Sequence, residues 1–215
     1  MKIGVFDSGV GGLSVANVIE RAVPGYEVLL REDKKHVPYG VRSPEEILSF
    51  IMPIFQEMVD DGCEVIVVAC NTVSTTLIGE LRERFTVPLV AVEPMIKPAA
   101  ELTKSKVIAV CATPTTLASD RYAWLKDTYA NGITVLEPDC SDWVRMIENN
   151  QIYQQKITSR IQETLRAGAD VIVLACTHYH WIEKEITAIS VGQAQVLQPE
   201  KAVIEELKRV LARLP

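Results

Sequence analysis

Short apolar runs recur along the chain, and longer stretches with helical spacing of apolar residues separate most of them. The pattern predicts an α/β protein with largely parallel sheets, because strands buried on both faces are apolar throughout and amphipathic helices connect them. Two helix starts are also marked: Ser43-Pro44-Glu45-Glu46 supplies a cap, a first-turn proline and carboxylates, and Pro199-Glu200 opens the final helix. The runs that predict strands are 3–6, 28–30, 65–69, 89–92, 107–110, 133–136, 171–175 and 194–197.

The chain contains an internal repeat. Residues 62–70 align with residues 168–176, with six identical positions of nine, at an offset of 106 residues between Cys70 and Cys176. An offset near half the chain length predicts two related α/β lobes, each with a cysteine at the carboxyl end of a strand. We expect residues 1–95 plus 198–215 to form the first lobe and 96–197 the second, with a ligand site in the cleft between them.

Composition narrows the class of protein. The 215 residues are 48% hydrophobic and 23% charged, with 11 Gly and 11 Pro, as in globular chains of one or two domains rather than disordered or collagen-like ones. The net charge of -6 is spread without a basic block, which argues against nucleic acid as the main partner. No apolar stretch nears the roughly 20 residues of a membrane span. Asp7 also interrupts the first apolar run, so we expect no signal peptide and a soluble protein.

Five cysteines, at positions 63, 70, 111, 140 and 176, form an odd set without a C-x-x-C motif. This favours free thiols and a cytoplasmic location. Cys70 and Cys176 each follow a predicted buried strand and precede hydrogen-bonding residues, so related lobes bring both thiols to one cleft. Two facing thiols suit proton transfer at both faces of a carbon. For the three remaining cysteines we keep the simpler interpretation, that of small buried hydrophobes.

A glycine-rich turn, 8–14, follows the first strand and opens a helix. It departs from a dinucleotide or phosphate motif because Ser14 stands at the last glycine position and no Gly-Lys-Ser/Thr follows. Its N–H groups can still bind a carboxylate. Asp7, just before the turn, is either a helix cap or a group that handles a proton.

Two cofactor hypotheses have little support in the sequence. Cys176, His178 and His180 form a C-x-H-x-H arrangement, but a closed zinc site needs a distant fourth ligand. Nothing singles out a lysine for pyridoxal chemistry. We therefore expect neither a metal nor a cofactor.

Several motifs together, in order and spacing, resemble the glutamate racemases of the cofactor-independent aspartate/glutamate racemase superfamily. The resemblance runs through nearly the whole chain. It implies two flavodoxin-like lobes related by a pseudo-twofold axis, with the active site in the cleft between them. The motifs that carry it are 3–13, Val37-Pro38-Tyr39-Gly40, Ala69-Cys70-Asn71-Thr72, Glu93-Pro94, 112–119 and Cys176-Thr177-His178-Tyr179.

The resemblance also implies roles for individual residues. Cys70 and Cys176 would be the catalytic acid/base thiols, Asp7 and His178 would assist them, Glu148 would support the second thiol, and Asp33 would lie near the first. The substrate contacts that it implies are Asp7, Ser8, Pro38, Tyr39, Gly40, Asn71, Thr72, Thr113, Thr116, Thr177 and His178.

The implied reaction interconverts L- and D-glutamate by a two-base proton transfer and supplies D-glutamate for peptidoglycan, with a homodimer as the expected assembly. Three alternatives remain. An aspartate racemase uses the same thiols on a substrate one methylene shorter. Single-cysteine decarboxylases are disfavoured because both cysteine positions are filled. In the third alternative, a racemase fold that has lost its activity would serve as a binding or regulatory protein. The charged segment 31–36 favours this alternative. His180-Trp181 also departs from the family, which has proline and an apolar residue there.

Overall fold

The protein folds as two four-stranded sheets in which every pair of neighbouring strands is parallel; residues 1–214 are described by a computed structural model. The first sheet has the order β2-β1-β3-β4 and the second the order β6-β5-β7-β8, so the same topology occurs twice. The predicted α/β fold with parallel sheets is confirmed. The strands are β1 Lys2–Asp7, β2 Glu27–Glu32, β3 Cys63–Val68, β4 Leu89–Ala91, β5 Val107–Ala112, β6 Thr134–Leu136, β7 Val171–Ala175 and β8 Gln195–Leu197.

Helices connect the strands, and both predicted helix starts are confirmed. Ser43 caps α2 through a reciprocal pair of hydrogen bonds with Glu46, and α11 begins at Glu200. The helices are α1 Gly12–Ala22, α2 Pro44–Asp60, α3 Asn71–Thr76, α4 Ile78–Arg84, α5 Ile96–Leu102, α6 Pro114–Leu117, α7 Asp120–Tyr129, α8 Trp143–Glu148, α9 Gln154–Arg166, α10 Glu183–Ser190 and α11 Glu200–Leu211, with 3₁₀ turns at Tyr39–Val41 and Thr177–Ile182.

Each sheet has an apolar core on both of its faces. In β1, Ile3 and Val5 face one core and Phe6 faces the other, as the alternation of side chains along a strand requires. The last helix, α11, packs Leu207 into the same core as Ile3 and Val5, although it lies at the far end of the chain. In the described part of the chain, no helix combines the length and apolar character needed to cross a membrane.

The central strands β1, β3 and β7 position the residues of interest. Parallel strands present their carboxyl ends at one edge of a sheet, and the loops at that edge form the usual ligand site of an open α/β sheet. Asp7 ends β1, Cys70 follows β3 as the N-cap of α3, and Cys176 follows β7 directly. The two sheets thus bring these three side chains towards one cleft.

Candidate active site

Cys70 and Cys176 lie on the walls of one closed cavity between the lobes. Both thiols are buried, with 5% and 6% of their surfaces exposed. The cavity has room for only about 10 Å³, close to the volume that one water molecule needs. A cavity of this volume is too small to hold a molecule of the size of an amino acid. The lining residues are Ser8, Tyr39, Gly40, Cys70, Asn71, Thr72, Thr113, Val144, Cys176, Thr177 and His178.

Burial and a nearby carboxylate favour the protonated form of the Cys70 thiol, and the hydrogen bond with Ser8 acts in the opposite direction on its pKa. Its Sγ donates to Oγ of Ser8 at 3.5 Å. Burial, followed by the charge of Asp7, raises the pKa of Cys70 to about 12. Cys70 therefore carries its proton at neutral pH and is positioned to act as an acid.

Asp7 is fully buried and joins the two lobes. Its Oδ1 accepts from the backbone N–H of Gly9 at 3.0 Å, and its Oδ2 accepts from the Thr177 hydroxyl at 2.9 Å. Burial raises the pKa of Asp7 to about 6, while the nearby His178 acts in the opposite direction. At pH 7 Asp7 is a carboxylate, and it accepts a proton at a pH only slightly lower.

Cys176 begins a chain of three hydrogen-bonded side chains. Nδ1 of His178 lies 3.8 Å from Sγ of Cys176, and Nε2 lies 2.5 Å from Oε1 of Glu148. Burial lowers the pKa of His178, but its hydrogen bonds with Cys176 and Glu148 outweigh burial and raise that pKa to about 10. The imidazole is therefore protonated and donates from both ring nitrogens. Its positive charge therefore lies beside Sγ of Cys176.

Glu148 also connects the lobes. Its Oε1 accepts from the backbone N–H of Val10 at 3.0 Å, in addition to the bond from His178. Burial acts to raise the pKa of Glu148, and the hydrogen bonds from His178 and Val10 bring it below its ordinary value. Glu148 is therefore ionised beside the imidazolium.

Asn71 presents unpaired polar atoms at the cavity. The residue is 2% exposed, and neither its Nδ2 nor its Oδ1 has a hydrogen-bond partner within residues 1–214. A buried amide without partners is costly, so such groups usually pair with a ligand or with ordered water. Asn71 thus offers one donor group and one acceptor to a bound molecule.

Three threonine hydroxyls form a cluster on the wall near Asn71. Thr72 Oγ1 lies 3.0 Å from Thr113 Oγ1 and 3.3 Å from Thr116 Oγ1. Thr113 caps α6, and that cap fixes the place of Thr116 one turn later. A Cβ at Gly40 would collide with Thr113, so only glycine allows this close approach. Thr116 lies behind the wall rather than in the cavity lining.

Tyr39 lines the cavity, and Asp33 holds its hydroxyl group in place. Its hydroxyl donates to Oδ2 of Asp33 at 2.5 Å, and Nδ1 of His36 lies 2.8 Å from the same oxygen. Burial and the hydrogen bond to Asp33 raise the pKa of Tyr39 above its ordinary value. Asp33 therefore contacts Tyr39 and does not itself line the cavity. Pro38, whose peptide bond with Val37 is cis, precedes Tyr39 and is also outside the lining.

The glycine-rich turn does bind carboxylates, but they are the protein's own. Gly9 donates its N–H to Asp7, and Val10 donates its N–H to Glu148. The expectation that these N–H groups serve a ligand therefore needs correction at both positions. The turn instead joins the lobes.

Two features of the cleft were not predicted from the sequence, namely the position of Val144 and the contact between His180 and Ser14. Val144 lines the cavity, but its apolar neighbours in α8 give no signal that separates it from a core residue. His180 contacts Ser14 of the first lobe, with 3.0 Å between Nδ1 and Oγ. Burial, then the charge of His178, lowers the pKa of His180 to about 4, so its ring is neutral at pH 7.

Comparison with known proteins gives a consistent result. The family description Asp/Glu/Hydantoin racemase matches residues 3–207. The glutamate racemase of Ralstonia pickettii is 37% identical over 214 residues, covering 98% of this chain and 76% of that protein. The glutamate racemase of Pseudomonas aeruginosa is 37% identical over 215 residues, covering 98% of this chain and 81% of that protein.

The similarity extends to solved structures. Escherichia coli glutamate racemase, in complex with L-glutamate and the activator UDP-MurNAc-Ala, superposes with a TM-score of 0.91 at 28% identity, covering 99% of this chain and 82% of that one. Glutamate racemase from Francisella tularensis, in complex with D-glutamate, superposes with a TM-score of 0.81 at 27% identity, covering 98% and 81%. The resemblance noted in the sequence is confirmed.

Proposed function

The chain belongs to the Asp/Glu/Hydantoin racemase family, and from that membership we infer that it is a glutamate racemase, interconverting L- and D-glutamate without a cofactor. The observation that carries this proposal is the position of Cys70 and Cys176, which line one cavity from opposite lobes. The reaction supplies D-glutamate for peptidoglycan.

In the mechanism we propose, each thiol serves one face of the α-carbon. The thiolate of Cys176 removes the α-proton, and the thiol of Cys70 donates a proton to the opposite face of the planar carbanion. The product has the inverted configuration, and the two sulfurs have exchanged protonation states. The opposite enantiomer reacts by the same steps in reverse, starting with Cys70 as the thiolate.

The surroundings of the two sulfurs support this assignment. The imidazolium of His178 faces Cys176, whereas burial and the charge of Asp7 raise the pKa of Cys70. We propose that the side chains of Asn71 and Thr72 donate hydrogen bonds to the substrate and to the charge that develops on it. Such donors are most effective in a cavity without bulk water.

Circular dichroism tests the activity directly. Purified protein mixed with L-glutamate or with D-glutamate in deuterium oxide should lose its optical signal in both samples, and mass analysis should find deuterium at the α-carbon. A protein that binds glutamate without either change would instead be a racemase fold that has lost its activity.

Replacement of either thiol tests the mechanism. We expect Cys70→Ser and Cys176→Ser each to abolish racemisation, since a serine hydroxyl is far less acidic than a thiol. Cys63→Ser is the control, because Cys63 is buried in the first lobe outside the cavity lining. Near-normal racemisation by either active-site variant, measured by the same optical assay, would contradict the two-thiol mechanism.

A competition assay with L-aspartate tests substrate preference. One methylene in a pocket changes the transition-state free energy by about 1–3 kcal/mol, so we expect glutamate to be preferred by about 10- to 200-fold in kcat/KM. Turnover of aspartate alone would move the assignment to aspartate racemase.

We also propose a cytoplasmic location and a homodimer. The five cysteines, all present as free buried thiols, support the location because reducing compartments preserve thiols. The homodimer rests on the family resemblance, and light scattering coupled to size-exclusion chromatography tests it. A monomeric mass at the protein concentration of the activity assay would contradict the homodimer.

A further inference from the structure

A second and larger cavity lies next to the active site and is open to solvent. Its volume is about 540 Å³. Three large apolar side chains in its lining are well exposed, namely Leu13 at 45%, Ile152 at 37% and Trp181 at 49%. The full lining is Val10, Leu13, Glu32, Lys34, Ile147, Glu148, Asn150, Ile152 and Trp181.

Glu148 connects this cavity with the active site. It lines the large cavity, while its Oε1 accepts from His178, which lines the closed one. The exposed fraction of the side chain is 17% for Glu148 and 2% for His178. The hydrogen-bonded chain that starts at Cys176 therefore reaches water at Glu148.

The hydrogen bonds of the Cys70 thiol itself lead to buried residues. Cys70 donates to Ser8, which is 4% exposed, and the neighbouring Asp7 is 0% exposed. Asp7 is bonded to Gly9 and to Thr177, so its hydrogen bonds lead back into the protein. Among residues 1–214, the hydrogen bonds of the Cys176 thiol thus lead to solvent and those of the Cys70 thiol do not; Tyr39 bonds to Asp33 and through it to His36, but not to Cys70.

We propose that His178 and Glu148 form a proton path between Cys176 and the water in the 540 Å³ cavity. The proposal rests on the proposed function and adds to it. Each turnover leaves the two sulfurs with exchanged protonation states, so repeated conversion of one enantiomer requires proton exchange with solvent. Cys70 exchanges its proton when the lobes open, and Cys176 exchanges through this path.

The path is balanced in protons. When Sγ of Cys176 takes the α-proton, its negative charge disappears, and with it part of the interaction that holds the imidazolium of His178 protonated. The Nε2 proton then passes to the Glu148 carboxylate and from there to a water molecule. Once the neutral ring carries its remaining proton on Nε2, Nδ1 accepts the proton of Sγ, which restores both the thiolate and the imidazolium. When Cys176 has instead given a proton to substrate, Nδ1 passes its proton to Sγ, and after the reverse shift of the ring proton a proton from water reaches Nε2 through Glu148. One proton enters at Sγ for each proton that leaves at Glu148.

Chemical rescue tests this path. We expect Glu148→Gln and Glu148→Ala to lower kcat at saturating glutamate by about 10²-fold, in the range of general acid–base effects. Formate or acetate, which fit the cavity, should restore at least about 10-fold of the kcat of Glu148→Ala, with a dependence on the basicity of the acid. A purely structural role of Glu148 would not respond to the added carboxylate.

Glu32→Gln and Glu32→Ala are the matched controls. Glu32 lines the same cavity and its side chain is also 17% exposed, but it pairs with Lys34 at 2.8 Å and has no bond to His178. We expect both control variants to retain kcat within about threefold, a difference below 1 kcal/mol, and to show no response to formate.

The possible failures are distinguishable. Wild-type protein that racemises neither enantiomer overturns the proposed function itself. Active wild type with no rescue of Glu148→Ala, or with equal responses of the Glu148 and Glu32 variants, overturns the proton path. If Glu148→Ala does not fold, Glu148→Gln decides: its steady-state kcat should fall further than its first turnover with enzyme in excess, and equal losses overturn the path.

Discussion

At the residue scale, environment makes two identical side chains differ. Cys70 and Cys176 are both buried at the ends of strands, and yet their neighbours carry opposite charges. The Asp7 carboxylate lies near the first thiol and the His178 imidazolium faces the second. The two sulfurs therefore have different electrostatic surroundings, and a racemase that uses two bases needs one acid and one base at once.

Asp7→Asn should make the protein more stable and less active. Burial raises the pKa of Asp7 from 3.8 to about 6, so the folded state favours the protonated form. The stability that this preference contributes is complete below about pH 4 and is lost as the pH rises to about 6. Relative to the wild type, the variant should gain about 3 kcal/mol in free energy of unfolding between pH 4 and pH 8, at 1.36 kcal/mol per pKa unit. Urea unfolding at pH 4 and pH 8 measures the difference.

The activity of the same variant should fall by about 10²-fold or more, mainly in kcat, because asparagine carries no charge and accepts no proton. A stability gain equal at both pH values would contradict the raised pKa. An unchanged kcat would leave Asp7 as a structural residue that caps the turn.

At the element scale, the turn between β1 and α1 meets the 3₁₀ turn after β7. A Cβ at Gly9 would collide with Glu148 Oε1 and lie 2.8 Å from His178 Nε2. A Cβ at Gly11 would collide with the Thr177 hydroxyl and lie 2.7 Å from the backbone nitrogen of His178. The glycines thus allow two loops from different lobes to approach closely enough to close the cavity.

Gly11→Ala should therefore hold the lobes apart. We expect kcat/KM to fall by about 10²-fold, the loss associated with displacing reacting groups by about 1 Å. Gly79→Ala is the control, since this glycine lies in α4 and a Cβ there meets nothing within 4 Å. The control should keep full activity and gain about 0.5–1 kcal/mol in stability. Equal kinetics of the two variants would contradict the closure role of Gly11.

At the scale of the whole molecule, each sheet has its own buried cores, and several polar contacts cross the cleft beside the apolar contacts of Val10 and Val37 with the second lobe. Ser14 meets His180, Trp181 Nε1–H donates to the Val10 carbonyl, and Thr177 donates to Asp7. Each such bond contributes only about 1 kcal/mol. This weak attachment suits lobes that must part to admit substrate and then close around it.

Leu207→Ala tests the proposed division into lobes, in which residues 198–215 belong with residues 1–95. Leu207 is 0% exposed and packs with the first sheet, so its loss should lower the free energy of unfolding by about 2–5 kcal/mol. Hydrogen exchange should accelerate in β1 and β3 more than in β5 and β7. Leu102→Ala, at a site 44% exposed, is the control and should change stability little. Faster exchange confined to the second lobe would contradict the division.

The strands, the helix starts and the repeat could be predicted from the amino-acid sequence alone. These depend on residues close together in the chain, such as the apolar run of β7 or the Ser43–Glu46 capping box. The family resemblance also pointed to both thiols, because the motifs around Cys70 and Cys176 are local sequences.

The environments of those thiols could be known only from the three-dimensional structure. The bond from Val10 to Glu148 spans 138 positions and that from Thr177 to Asp7 spans 170, so no local pattern encodes either. The pKa of Asp7, the unpaired amide of Asn71 and the solvent-facing position of Glu148 all follow from how the lobes meet. The physical reason is that burial and charge depend on every neighbour in space, whereas secondary structure depends chiefly on neighbours in sequence.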